Sequence, residues 1–461
     1  MNFNLTKNRT LIIAFFAVIA AIILYFSVFK KPHAAYADIL SNPALQHNIP
    51  IQQWTTPNGV QVYFVPTEGL PLIDIAINLD AGSARDASKP GLALLTANLL
   101  DKGTTTLSAD AIAEKFEDAG AQYRAGVDRD RAIIAIRSLS DPQYLNPVIA
   151  VLSELLTQPA FPDTNVEIEK NSTLVTIKQN LQLPNVVASQ AFYKALYPDH
   201  PYAQPVCGTE AGVSAITKQD LVQFHQQYFV AKNTTIALVG GISKERATEI
   251  AQQISEKLAA GSPASPLPEV AALTQSSTVN IPFPAEQTHV LIGQPCAIQN
   301  DPDYFPLLVG NYILGGSGLT SVLFEEVRNQ RGLVYHVSSR LLALQKPAPF
   351  LIQLQTKNTQ TKEAIQLVNQ ILSRFVKDGP TEPEIAEAKE GIMRSFPVDI
   401  SNNAKIIDAV SGMAFYKLPI DFLSTYQKRV GAVTAADIKS TFQRRIHPDK
   451  MALIVVGTTP P

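Results

Sequence analysis

The 461-residue chain holds 38 Lys and Arg against 40 Asp and Glu, a net charge of −2, with 46% hydrophobic and 17% charged residues. That balance, with no basic run, excludes the electrostatic footprint of a nucleic-acid-binding protein, and the length exceeds one ordinary domain. Cys207 and Cys296 are too few for a disulfide framework or a cysteine zinc site, and no bridge between them is expected.

Leu11 to Phe29 is an uncharged apolar run of about 19 residues, enough to cross roughly 30 Å of hydrocarbon as one helix. Lys7 and Arg9 precede it and Lys30 and Lys31 follow, so charge leaves its orientation open. Ala35-Tyr36-Ala37 resembles a cleavage site, but the run is long for a signal peptide. Residues 1–37 therefore read as a membrane anchor, with a cleaved export signal as the alternative.

Residues 50 to 66 read as two strands around an Asn58-Gly59 turn, and Leu72 to Leu79 alternates as a third. Pro90 to Leu100 and Ala111 to Ala119 are apolar at helical spacing, Ala132 to Leu139 is a strand, and Pro147 to Leu156 is a helix. Clustered strands and helices favour an α+β sandwich over a doubly wound parallel sheet.

The chain repeats itself. Residues 216–240 align without a gap on 433–457, matching Thr217 to Thr434, Asp220 to Asp437 and Val239-Gly240 to Val456-Gly457. Each Thr-x-x-Asp is a helix-start signature before a helix, a turn and a closing apolar strand. Two copies of one domain, residues 45–258 and 273–461, are expected around a Pro, Ser and Ala-rich linker at 259–272.

In the second copy, Gly315, Gly316 and Gly318 mark a backbone that takes positive φ or approaches something closely. Leu319, Val322, Leu323 and Val327 then follow at helical spacing, Gly332 sits where a cap glycine belongs, and Leu333 to Ser339 alternates as a strand. A sharp turn there brings the polar tips of Arg328 and Tyr335 near one another. No Gly-Lys-Ser/Thr follows the glycines, which argues against a phosphate cradle.

Gly82-Ser83-Ala84-Arg85, Lys102-Gly103-Thr104, Phe161-Pro162, His200-Pro201-Tyr202, Gly208-Thr209, Leu314-Gly315-Gly316, Arg328 and Gly332-Leu333-Val334-Tyr335 follow one another along the chain. In their order and spacing they resemble the pitrilysin/insulinase family of zinc metallopeptidases, which includes the mitochondrial processing peptidases. The resemblance implies two homologous α/β sandwich domains closing like a clam shell over a peptide. It also implies an inverted zinc motif, H-x-x-E-H, ahead of Lys102-Gly103-Thr104. Two histidines four apart share one helical face and reach one metal, and the glutamate deprotonates its water.

Here those positions hold Leu94, Ala97 and Asn98, and the position of the third ligand falls at Thr176 or its neighbour Val175. None of these is a ligand or base. Where the family's substrate-binding strand offers an asparagine, this chain reads Tyr123-Arg124-Ala125-Gly126. The seven histidines include no pair three or four apart, and His200 reads as a loop-packing residue.

Arg328 and Tyr335 match the pair that the family contributes from the half opposite the zinc. The resemblance thus implies a non-catalytic subunit with no cofactor of its own. Its partner would be a homologous chain with intact H-x-x-E-H and bound zinc, acting on peptides at the bacterial inner membrane with the body in the periplasm. The alternative is a peptide-binding scaffold without a protease partner.

Overall fold

The computed structural model describes residues 49–458. The apolar run Leu11 to Phe29 lies outside the described residues; among them no helix is long and apolar enough to cross a membrane.

Two mixed sheets organise the body. The first contains β1 (Gln52–Thr55), β2 (Gln61–Pro66), β3 (Leu72–Leu79), β4 (Gln122–Val127), β5 (Ala132–Leu139) and β6 (Thr234–Gly240), in the order β1-β2-β6-β3-β5-β4. The second contains β7 (Ser277–Pro282), β8 (Gln287–Ile298), β9 (Val334–Leu341), β10 (Ala343–Leu344), β11 (Ala348–Lys357) and β12 (Ala452–Gly457). Its order is β7-β12-β8-β11-β9, with β10 paired to β8.

The repeat read from sequence extends to the pairing sense. In each sheet a parallel pair near one end, β2 with β6 or β7 with β12, leads into three antiparallel pairs, and the short β10 adds a second parallel pairing, to β8, in the second sheet. Both Thr-x-x-Asp signatures close reciprocal capping boxes, Thr217 with Asp220 and Thr434 with Asp437, satisfying backbone donors that a helix start leaves unpaired. Each of these helices leads into its sheet's closing strand, β6 or β12.

Most expected elements form, with shifted ends. The helix expected over Pro147 to Leu156 spans Pro142–Thr157, because Asp141 caps it by accepting from the Gln143 amide and Pro147 is accommodated inside it. The helix expected over Pro90 to Leu100 is shorter, Leu92–Asn98, since Gly91 enters it at φ 106°.

The two halves exchange helices. Pro184–Leu196, from the first half, lays Ala188, Phe192 and Leu196 on the second sheet against Leu291, Ile454 and Val456. Asn403–Phe415, from the second, lays Val410, Met413 and Ala414 on the first sheet against Tyr63, Ala76 and Ala237. These spacings of i, i+4 and i, i+3 put each apolar set on one helical face.

Buried polar contacts cross at the same junction. Asn78 and Ser411 bond reciprocally at 2.8 and 3.0 Å, and the Asp130 carboxylate accepts from Tyr202 Oη, Tyr416 Oη and the Gln345 amide. Burial pushes the Asp130 carboxyl up to about 6 despite these donors.

The stretch 259–272 carries neither helix nor strand, yet it is tied down: Ala231 and Lys232 donate to the carbonyls of Ala259 and Ala260. His200 packs in this junction as the sequence suggests, its Nδ1 accepting from the Tyr202 amide and its Nε2 at 3.1 Å from the Pro268 carbonyl. Both cysteines are free thiols.

Candidate functional site

The glycine-rich segment follows the helix Tyr304–Asn311. The chain winds through a π turn, Tyr312–Gly316, and a 3-10 turn, Gly318–Thr320, into a second π segment, Phe324–Gln330. The helix expected from Leu319 begins later, because Leu319 is exposed in the 3-10 turn and Ser321 Oγ takes the Phe324 amide. π winding, with i→i+5 bonds, is rare and recurs at functional sites.

The three glycines serve different ends. A Cβ on Gly315 would stand 2.4 Å from the Ser339 nitrogen of β9, and one on Gly316 would stand 2.8 Å from Asn311 Nδ2. Gly318 sits in open space at φ +68°. Gly332, at φ +64°, closes the segment by donating to the Arg328 carbonyl and turns the chain into β9, as its place in the sequence predicts.

This turn brings Arg328 and Tyr335 together. The Arg328 guanidinium lies 4.6 Å from the Phe324 ring centroid and 5.7 Å from that of Tyr335. Such cation–π stacking orients a guanidinium without consuming its N–H donors. Among the described residues no carboxylate pairs with Arg328: Glu325 is taken by Asn329 and Gln330, and Glu326 by Arg374. Tyr335 is 69% exposed, far more than a strand tyrosine used for packing. The pair is an ordered, unspent set of donors at the surface.

The helix Leu92–Asn98 lies in the first half. Its N-terminus is held by buried Asp86, whose two carboxylate oxygens accept from the Gly91 and Ala93 amides at 2.7 Å. Burial outweighs those bonds and pushes the Asp86 carboxyl up to about 7. Leu94 is half-buried, Ala97 is buried, and Thr176 is exposed, with its hydroxyl turned back to the Ser172 carbonyl. These side chains do not fit a zinc ion, and among the described residues no group of three His, Cys, Asp or Glu stands ready to hold a metal.

Sequence reasoning missed Glu169. Its Oε1 accepts from Asn98 Nδ2 at 2.8 Å, tying the helix Asp163–Asn180 to the end of Leu92–Asn98. Glu169 stands seven residues, two helical turns, before Thr176, a spacing that could have singled it out.

Residues 70–210 match the family model for insulinase, peptidase family M16, and residues 215–392 match the M16 inactive domain. A solved M16 inactive-domain protein from Pseudomonas fluorescens is 33% identical, covering 89% of this chain and 99% of its own, with a TM-score of 0.86. The chain belongs to peptidase family M16. Other M16 relatives divide in how they are described. The non-peptidase homolog YmxG of Helicobacter pylori is 26% identical over 82% of this chain and 86% of its own. The uncharacterized zinc protease YmxG of Bacillus subtilis is 25% identical over 77% and 86%. This chain is an inactive M16 homologue.

Proposed function

We propose that this chain is the non-catalytic subunit of a two-chain zinc metallopeptidase, lending Arg328 and Tyr335 to the active site of a homologous partner with intact H-x-x-E-H. The observation that carries this reading is the Arg328–Tyr335 pair: ordered by stacking, with Tyr335 exposed and Arg328 half-buried and without a carboxylate partner among the described residues, while the positions the resemblance gives to metal ligands hold none. Peptide hydrolysis places negative charge on the carbonyl oxygen as the bond is attacked. A fixed guanidinium and phenol aimed at that oxygen stabilise the transition state more than the ground state.

Peptide is held by main-chain bonds along a sheet edge, which needs no catalytic residue; β4 and β9 are both edge strands. The clam shell then closes between the two subunits, since within this chain the halves are locked by exchanged helices. The apolar run Leu11 to Phe29 supports a single-pass anchor in the bacterial inner membrane, with the body in the periplasm. Zinc belongs to the partner.

The test is co-purification with a zinc-motif homologue from the same genome, followed by peptide cleavage assays. Cleavage by the pair well above that of either chain alone is expected. A homologue that neither binds this chain nor is stimulated by it would favour the scaffold reading.

A further inference from the structure

From Val327 to Lys362 the chain carries six cations, Arg328, Arg331, Arg340, Lys346, Lys357 and Lys362, and no Asp or Glu. Over the whole chain acids slightly outnumber cations, so this excess is local. The segment builds β9 and β11, the outer two strands of the second sheet, with β9 at the edge.

Of the six, only Lys346 forms an ion pair among the described residues, with Glu269. The nearby glutamates gather elsewhere, with Glu325, Glu326, Glu384 and Glu387 lining a separate cavity of about 280 Å³. Arg340 and His336 share one face of β9, in register with Leu351 and Gln355 of β11, and the register shifts at Tyr335, an exposed residue left without a partner between His336 and Val334, with Arg328 stacked on its ring. His336 is pushed below the usual imidazole range by partial burial, then by the charges of Arg340 and Arg328. Along Val334 to Leu341 no backbone hydrogen bond leads outward to a described residue beyond the pairing with β11; Val337, Ser338 and Ser339 are buried, and the exposed positions are Tyr335, His336 and Arg340.

We propose that β9 is a docking edge for acidic peptide segments: an extended chain lies along the strand and presents Asp or Glu side chains to Arg340 near one end and to Arg328, stacked on Tyr335, near the other. A strand rises about 3.3 Å per residue, so acidic side chains spaced along the added chain can meet both guanidiniums. A free strand edge flanked by an exposed tyrosine suits a polypeptide better than a headgroup surface, which has no backbone to pair. The inference rests on the reading that this side of the molecule faces peptide, and it narrows which peptide.

The test is binding by the full-length chain alone, so it does not depend on any partner. Labelled peptides of equal length and hydrophobicity, one acidic, one neutral and one basic, are titrated at low and high salt. The acidic peptide should bind at least about tenfold tighter than the basic one at low salt, with the gap shrinking as salt screens it. Arg340→Glu should erase the preference while leaving the thermal melt unchanged, and Arg340→Lys should largely keep it.

Equal binding of all three peptides, or a preference untouched by Arg340→Glu, would overturn the proposal. So would Arg340-dependent capture by vesicles containing phosphatidylglycerol without binding of the acidic peptide. Loss of peptide preference with stimulation of a zinc-bearing partner intact would remove this inference and leave the subunit reading standing.

Discussion

Asn98 donates through Nδ2 to Glu169 at 2.8 Å, so a carboxylate stands beside the position that the sequence resemblance matches to a zinc-motif histidine. A metal-bound imidazole commonly donates its second N–H to such a carboxylate, which fixes its orientation. The supporting acceptor is present although the ligands are absent.

A chain with Leu94→His, Asn98→His and Thr176→Glu should therefore acquire about one zinc per molecule that survives dialysis. Adding Glu169→Gln to that background should weaken zinc affinity by roughly 10- to 100-fold. Metal content and competition with a chelating dye measure both. Equal affinity with and without Glu169 would deny it the supporting role.

Two glycines of the glycine-rich segment separate space from backbone conformation. Gly315→Ala forces a methyl to 2.4 Å from the Ser339 nitrogen and should cost about 1–3 kcal/mol as β9 shifts. Gly318→Ala meets open space and bears only the strain of φ +68°, about 1 kcal/mol. Urea midpoints would order the two, and Gly318→Ala proving the worse would contradict the packing described for Gly315.

The exchanged helices should carry much of the cohesion between halves. Phe192 is fully buried beneath the second sheet, and Phe192→Ala should destabilise the protein by about 3–5 kcal/mol. A single shared unfolding transition is expected for both halves, which calorimetry would resolve. Two well-separated transitions in the wild type would argue against interlocking.

Asp86 gives a pH dependence with a definite sign. Its carboxyl is raised from the ordinary value of 3.8 to about 7, so between those values the folded state holds the proton more tightly than the unfolded state. Its contribution to stability is fully present below about pH 4 and is lost as pH rises through about 7. The stability of the wild type relative to Asp86→Asn should fall between pH 5 and pH 8 in denaturant titrations. A difference independent of pH would show that Asp86 stays ionised throughout.

Periodicity and caps made much of the fold legible. Leu72 to Leu79 and Ala132 to Leu139 alternate and are β3 and β5, and the two Thr-x-x-Asp boxes announced the internal repeat. Helix exchange was hidden, because Ala188, Phe192 and Leu196 advertise an apolar face without naming the sheet that receives it. The π winding around Phe324 was hidden too, since an i→i+5 turn depends on how the segment packs more than on residue type. At the candidate site the glycine turn and the approach of Arg328 to Tyr335 were readable from spacing, while the choice of that pair came from the resemblance. Glu169 was not, for a lone carboxylate on a helix gains meaning only when Asn98 is seen beside it.

The central claim concerns what Arg328 and Tyr335 do for another chain, and the most direct measurement is steady-state turnover by the reconstituted pair. With Arg328→Ala or Tyr335→Phe in this subunit, kcat should fall by about 10²–10³ with KM changing far less, because the donors act on charge that develops only in the transition state. Assembly of the pair, followed by sedimentation, should be unchanged. A pair carrying both substitutions that cleaves peptide at the wild-type rate would contradict the account.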